Sequence, residues 1–397
     1  MQSIVSKIVN YLPTEQLNSY WDHFEQVAFA IYDSEKVYLF NHPNYKDQPY
    51  IELVKTSEFQ ACTCIIFEGV PTAIVDTRLC DSYETIYSVI VHESFHGFQY
   101  LLNESRLPNE ISGFTYPIDF NNIQLRILER TNLYEAFIAE DLQMQAQYIN
   151  EFIEIREKRR RLFPEYVEYE NLIETVEGPA FYVEYQALKD VQKNKQNSLD
   201  QYVSMLLDSE ASQLNIRRSC YSSGLFICLL LDKISESWKV EFMKSKLDVY
   251  SFFKEIYPNY YAVPIALPEN AREVNEIIQN VISERKKSFD DFEKLPGVKL
   301  FVEGAIKITG FDPMNITLLN NKALHRTFLK VKIADEEYVI QGPVCTEFQQ
   351  HFMQIESIQM YVTECPRQVG NQVSISNIGE VKGMLKLLDS NLYRVKV

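Results

Sequence analysis

A chain of 397 residues is too long for one simple core, and 46% apolar with 24% charged residues is an ordinary globular mixture, without the bias of a disordered or collagen-like chain. A formal charge of −16 at pH 7 repels phosphate backbones and anionic lipid, so neither nucleic acid nor a membrane face is a natural partner. Seven cysteines, odd in number and scattered, point to free thiols in a reducing compartment, with the cytoplasm as default, and argue against a disulfide framework.

The stretch from Met1 to Ile8 has neither the apolar core nor the small-residue cleavage site of a secretory signal, and the longest apolar run, Leu225 to Leu231, is far below membrane-spanning length. From Val27 to Leu79, short β-rich runs (Val27–Tyr32, Val37–Phe40, Cys64–Phe67) predict a small, largely antiparallel sheet with connections at Asp33–Lys36 and Glu68–Pro71. Cys62 and Cys64 fit alternation on a strand better than metal binding. A helix follows, with Asp81 and Glu84 as a variant capping box and Ile86, Ile90, Phe95 and Leu102 as its apolar positions. Asn122 to Phe163 reads as one long helix or two in succession, ended by Pro164, and its basic run Lys158-Arg159-Arg160-Arg161 reads as a solvated face. Further helical patterns cover Tyr166–Lys193, Leu199–Leu207, Ser219–Lys244 and Glu269–Lys294, and beyond Pro296 alternating runs predict a β domain, a small sandwich or barrel. Three regions result: 1–80, β-rich; 81–295, helical, with a long insert at 109–165; and 296–397, β.

The sequence His92-Glu93-Ser94-Phe95-His96 places two imidazoles one turn apart on one helix face, so both reach one tetrahedral zinc ion. Glu93 points to the side of the pair, where it takes a proton from zinc-activated water and passes it to a leaving amine. The plain alternative is an amphipathic helix with two polar histidines. A catalytic zinc needs a third protein ligand and an open fourth position. His23, His42, His325 and His351 form no ligand spacing and read as structural or solvent-facing.

The run Val176-Glu177-Gly178-Pro179-Ala180-Phe181-Tyr182-Val183-Glu184 resembles the Asn-Glu-Gly-Phe-Ala pattern of the gluzincin metallopeptidases, the clan of thermolysin, aminopeptidase N and the leukotriene hydrolases. The resemblance implies one zinc per chain with Glu177 as third ligand, and Glu174 is the competing ligand. Pro179 suits the first turn of a helix, which would set Glu177 at a helix start facing the zinc helix. Glu184, seven residues on and on the same face, either hydrogen-bonds a ligating histidine or is a solvated glutamate. Tyr221-Ser222-Ser223-Gly224, followed by an apolar helix, resembles the Tyr-Xaa-Xaa-Gly segment of aminopeptidase-type gluzincins; that implies an oxyanion-stabilising role for Tyr221, against a buried structural tyrosine. Arg217 and Arg218 are candidates for a substrate carboxylate, though surface pairing with acidic residues is the simpler expectation.

The resemblance covers residues 60 to 235 and departs from the aminopeptidases twice. Eighty residues separate His96 from Glu177, an insert that would wall or lid the cleft, and no Gly-Xaa-Met-Glu-Asn segment holds a substrate N-terminus. Pro71–Asp76 stands where gluzincins keep an edge strand for substrate backbone, the alternative being an interior strand. The expected architecture is α+β, a zincin-like metallopeptidase fold with an appended C-terminal β domain. The expected function is zinc-dependent hydrolysis of a peptide or small protein. The rivals are a zinc hydrolase acting on another amide or an epoxide, and a non-catalytic zincin-like binding protein.

Overall fold

The computed structural model describes residues 2–9, 14–192, 198–349, 352–376 and 378–397, so Met1, Lys193 and His351 lie outside the described residues. The fold is mixed α+β, in two compact units. The first unit comprises 1–108, 124–212 and 217–269; the second comprises 109–123, 213–216 and 270–397. These bounds differ from the three sequence regions: most of 1–295 forms one unit, while 109–123 and the helix after 270 belong with the C-terminal strands.

In the first unit α1 (Gln2–Val9) and α2 (Thr14–Tyr20) precede a sheet of β1 (Ala28–Tyr32), β2 (Lys36–Phe40), β3 (Ile51–Val54), β4 (Thr63–Phe67) and β5 (Val70–Asp76), in spatial order β3-β2-β1-β5-β4. Neighbours are antiparallel except β1 and β5, which run parallel with Ala30 opposite Ile74. The period-2 alternation buries Phe29, Ile31, Tyr38, Phe40 and Val75 on one face and Ala30, Tyr32, Val37, Leu39 and Ile74 on the other. At the β1–β2 turn the Asp33 carboxylate accepts from the N–H groups of Glu35 and Lys36, at 2.9 Å each. Glu68 and Gly69, both at positive φ, make the tight turn from β4 to β5. That turn folds β4 onto the outer side of β5, so Pro71–Asp76 is an interior strand and β4 holds the edge, a correction to the expected substrate strand.

Helix α3 (Tyr83–Leu101) is capped by Ser82, one residue later than Asp81, through a 3.1 Å bond from the Thr85 N–H to its hydroxyl. Ile86 and Ile90 pack on the sheet, while Tyr87, Val91, Phe95 and Phe98 join the helical core, so α3 is buried on two sides. Leu102 is instead half exposed, at the C-cap. The remaining helices are α4 (Glu110–Phe114), α5 (Phe120–Ile138), α6 (Leu142–Leu162), α7 (Pro164–Val191), α8 (Asp200–Leu207), α9 (Ser209–Leu214), α10 (Ile216–Ile234), α11 (Trp238–Lys244), α12 (Val249–Ile256) and α13 (Ala271–Glu293). The stretch 122–163 is therefore two helices, separated where the Asp141 carboxylate caps α6. Pro164 both ends α6 and opens α7. Among the described residues no helix is long and apolar enough to cross a membrane.

One expectation about the insert is corrected here. Arg156 and Arg159, one turn apart on α6, are fully buried, so Arg159 is not part of a solvated basic face. They pair with Glu129, Glu170 and Glu174, Arg126 also pairs with Glu170, and the contacts to Glu129 are 2.8 Å each. Helices α5 and α6 thus brace α7 through buried ion pairs.

The second unit contains α4, α13 and the strands β6 (Val298–Phe311), β7 (Ile316–Leu319), β8 (Lys322–His325), β9 (Phe328–Ile333), β10 (Glu336–Gln341), β11 (Val344–Phe348), β12 (Gln354–Val362), β13 (Arg367–Val369), β14 (Gln372–Ile375), β15 (Gly379–Lys382), β16 (Met384–Asp389) and β17 (Leu392–Lys396). The strands β13–β15 form a three-stranded sheet and the others a nine-stranded one. Leu300, Val302, Ile308, Val331, Ile358 and Val395 build its core, which Ile111 and Phe114 of α4 enter.

Candidate metal centre

Two long helices supply the site. On α3 the spacing of His92 and His96 sets both rings over one side of the helix, where they face α7. On α7, Glu177 and Glu184 lie two turns apart on the side facing α3. Pro179 is not in a first helical turn: α7 runs from Pro164 straight through it, so Glu177 sits in mid-helix, a further correction. Proline there removes the rung that would reach the Thr175 carbonyl, a cost the buried packing of α7 absorbs. The motif glycines explain the third helix: a Cβ on Gly178 would meet the Gly224 Cα at 2.7 Å, so α7 and α10 touch backbone to backbone. That crossing brings Arg217 and Tyr221 of α10 beside Glu177.

His92 Nε2 and His96 Nε2 are 3.1 Å apart, and Glu177 Oε2 lies 3.6 Å from the first and 3.2 Å from the second. Four ligands about a tetrahedral ion with bonds near 2.0–2.1 Å are separated by about 3.3 Å, so this triangle has the right edge. Glu177 Oε2 is buried without a hydrogen-bond donor of its own, an acceptor aimed at the two imidazoles. His92, His96 and Glu177 therefore form a group that could hold a metal ion.

The outward atom of each ligand faces a polar side chain. His96 Nδ1 lies 2.8 Å from Gln99 Oε1, and the Gln99 amide donates to the Val176 carbonyl at 2.9 Å, tying α3 to the residue before Glu177. His92 Nδ1 is 2.9 Å from Glu184 Oε2, close but poorly aligned as a hydrogen bond, and the Tyr202 hydroxyl donates to Glu184 Oε1 at 2.9 Å. Arg217 Nη2 donates to Glu177 Oε1 at 2.8 Å. Glu174, the competing ligand, is spent elsewhere: it is bidentate to Arg156 at 2.8 and 2.9 Å and accepts from Ser223.

Burial disfavours charge throughout the site, yet Glu177 and Glu184 push the pKa of His92 well up and Glu177 raises that of His96. Against the same burial, His96, His92 and Arg217 hold Glu177 well below the usual carboxylate range. Protons and a cation would thus compete for one set of donors. Burial is also the main reason the pKa of Glu93 is raised, beyond what the two histidines offset. The Tyr221 ring lies over that of His92, centroids 6.4 Å apart, and packs edge-on against Phe181; its hydroxyl meets Glu177 and Arg217.

The structure thus gathers His92, Glu93, His96, Glu177, Glu184 and Tyr221 in one place. Arg217 is drawn in rather than pairing at the surface, whereas Arg218 is exposed. Gln99 and Tyr202 are additions. Gln99 stands three residues after His96 on the same helix face, a spacing that marks it; nothing near Tyr202 in sequence does. The other described histidines are elsewhere: His23 is exposed, His42 caps Asn44, and His325 is buried in the second unit. No protein-family model, no curated protein and no solved structure matches this chain.

Proposed function

We propose that this protein is a zinc-dependent peptide hydrolase of gluzincin type with a zincin-like catalytic unit, in which His92, His96 and Glu177 hold one zinc ion and Glu93 is the general base. The observation that carries this reading is the convergence of two imidazole nitrogens and one orphaned carboxylate oxygen at 3.1–3.6 Å. Two imidazoles and a carboxylate suit zinc, which when bound lowers the pKa of a water and polarises a carbonyl.

The protein groups do the rest. Glu93 accepts the proton of the water as its oxygen attacks the peptide carbonyl carbon, and returns that proton to the amide nitrogen as the C–N bond breaks. Tyr221 donates its hydroxyl proton in a hydrogen bond to the carbonyl oxygen as negative charge develops there. An extended substrate pairs with the outer edge of β4, whose Cys64 is close enough to Glu93 to feel its charge.

Metal analysis of the whole chain and cleavage of a peptide library test this. Wild type is expected to hold one zinc per chain, lost in Glu177→Ala, and Glu93→Gln to keep the zinc while cleaving about 10²–10⁴-fold more slowly. A chain that binds no zinc after reconstitution rejects the reading. Zinc without peptide cleavage favours the binding-protein rival or a hydrolase of other amides.

A further inference from the structure

Arg217 sits in the first turn of α10, its side chain 15% exposed, and the carboxylate beside it is Glu177. The two oxygens of that carboxylate have different surroundings. Oε1 accepts from Arg217 at 2.8 Å, while Oε2 faces both histidine nitrogens. Tyr221 follows one helical turn later, and the guanidinium lies 5.9 Å from its ring centroid.

We propose that Arg217 is a positioning residue that divides the Glu177 carboxylate, holding Oε1 so that Oε2 alone is offered to the metal, and that fixes Tyr221 against the same guanidinium. A free carboxylate can give both oxygens to a cation and close the position a catalytic ion keeps open. The planar, permanently charged guanidinium suits this task because it grips one oxygen and presents further N–H groups to a second partner.

Electrostatics gives the test its sign. A guanidinium beside a dication repels it, so an Arg217 acting only as a charge would weaken metal binding, and its removal would tighten it. An arginine that positions the ligand has the opposite effect when removed, because lost support of a ligating carboxylate costs about 10–100-fold in affinity.

The inference rests on the metallopeptidase reading, and zinc affinity measured by chelator competition separates the two. In the full-length chain, Arg217→Ala is expected to bind zinc about 10–100-fold more weakly, with partial recovery on adding free guanidinium, which leaves wild type unchanged. Arg217→Lys, which keeps the charge but cannot span both groups, is expected to be weakened as well. Melting of the metal-free chains checks folding, and the lysine variant decides if the alanine variant does not fold. Zinc bound by these variants as tightly as by wild type, or more tightly, overturns the role of Arg217 and leaves the peptidase reading intact; a wild-type chain without zinc overturns both.

Discussion

His325 is 1% exposed and sits between Phe311 and Phe352, ring centroids 6.1 Å away in each case, with Thr346 beside Nε2 and no partner for Nδ1. Burial alone pushes its pKa down to about 4, so the folded chain keeps it neutral where the unfolded chain, near 6.5, takes up a proton. The unfolded state therefore binds more protons between these values, and stability falls as pH drops from about 6.5 to about 4, by about 3 kcal/mol at full protonation. His325→Phe is expected to flatten that part of the pH–stability curve; a variant whose curve parallels wild type removes the explanation. Single residues were legible where covalent spacing determines geometry, as with the one-turn separation of His92 and His96. Arg159 and Arg217 were misread because local sequence shows how many acids there are, not which acid faces a given arginine after folding.

At the scale of elements, the Gly178–Gly224 crossing decides where the site residues of α7 and α10 meet. Alanine at either position gains about 1 kcal/mol of helix propensity but drives a methyl into backbone, which no rotamer change relieves. We expect Gly178→Ala to destabilise the chain by about 2 kcal/mol net and to weaken zinc binding, because separating the helices carries Glu177 away from Arg217. Denaturant midpoints and a zinc titration check this, and wild-type values for both would show that the helices can part freely. The sequence identified both glycines as motif positions without revealing that each is there for the other. The helical pattern from Tyr166 to Lys193 anticipates α7, whereas placing Pro179 in a first turn did not hold, because the buried packing of the helix carries it straight through the proline. The strands were readable from alternation, but the sheet order was not, because alternation says nothing about which strand is outermost.

For the whole molecule, the most consequential feature is that neither unit is continuous in sequence. Composition shifts locate the strands after Pro296, yet no local signal tells that 109–123, which ends 175 residues before the first of them at Val298, shares their core through Ile111 and Phe114. Phe114 packs tilted against Phe352, with ring centroids 4.4 Å apart, so a chain cut after Glu269 loses the surroundings of α4 and exposes it. Such a truncation is expected to aggregate, and replacing 109–123 by a short polar linker to restore a dispersed species, both read by gel filtration. A monomeric 1–269 chain with α4 in place would contradict this. Order of synthesis adds a burden that the finished fold conceals. A ribosome working at about 5–20 residues per second releases α4 and then needs on the order of ten seconds for residues 270–397. Through that interval the first unit has all of its chain, while Ile111 and Phe114 wait in water for a core not yet made.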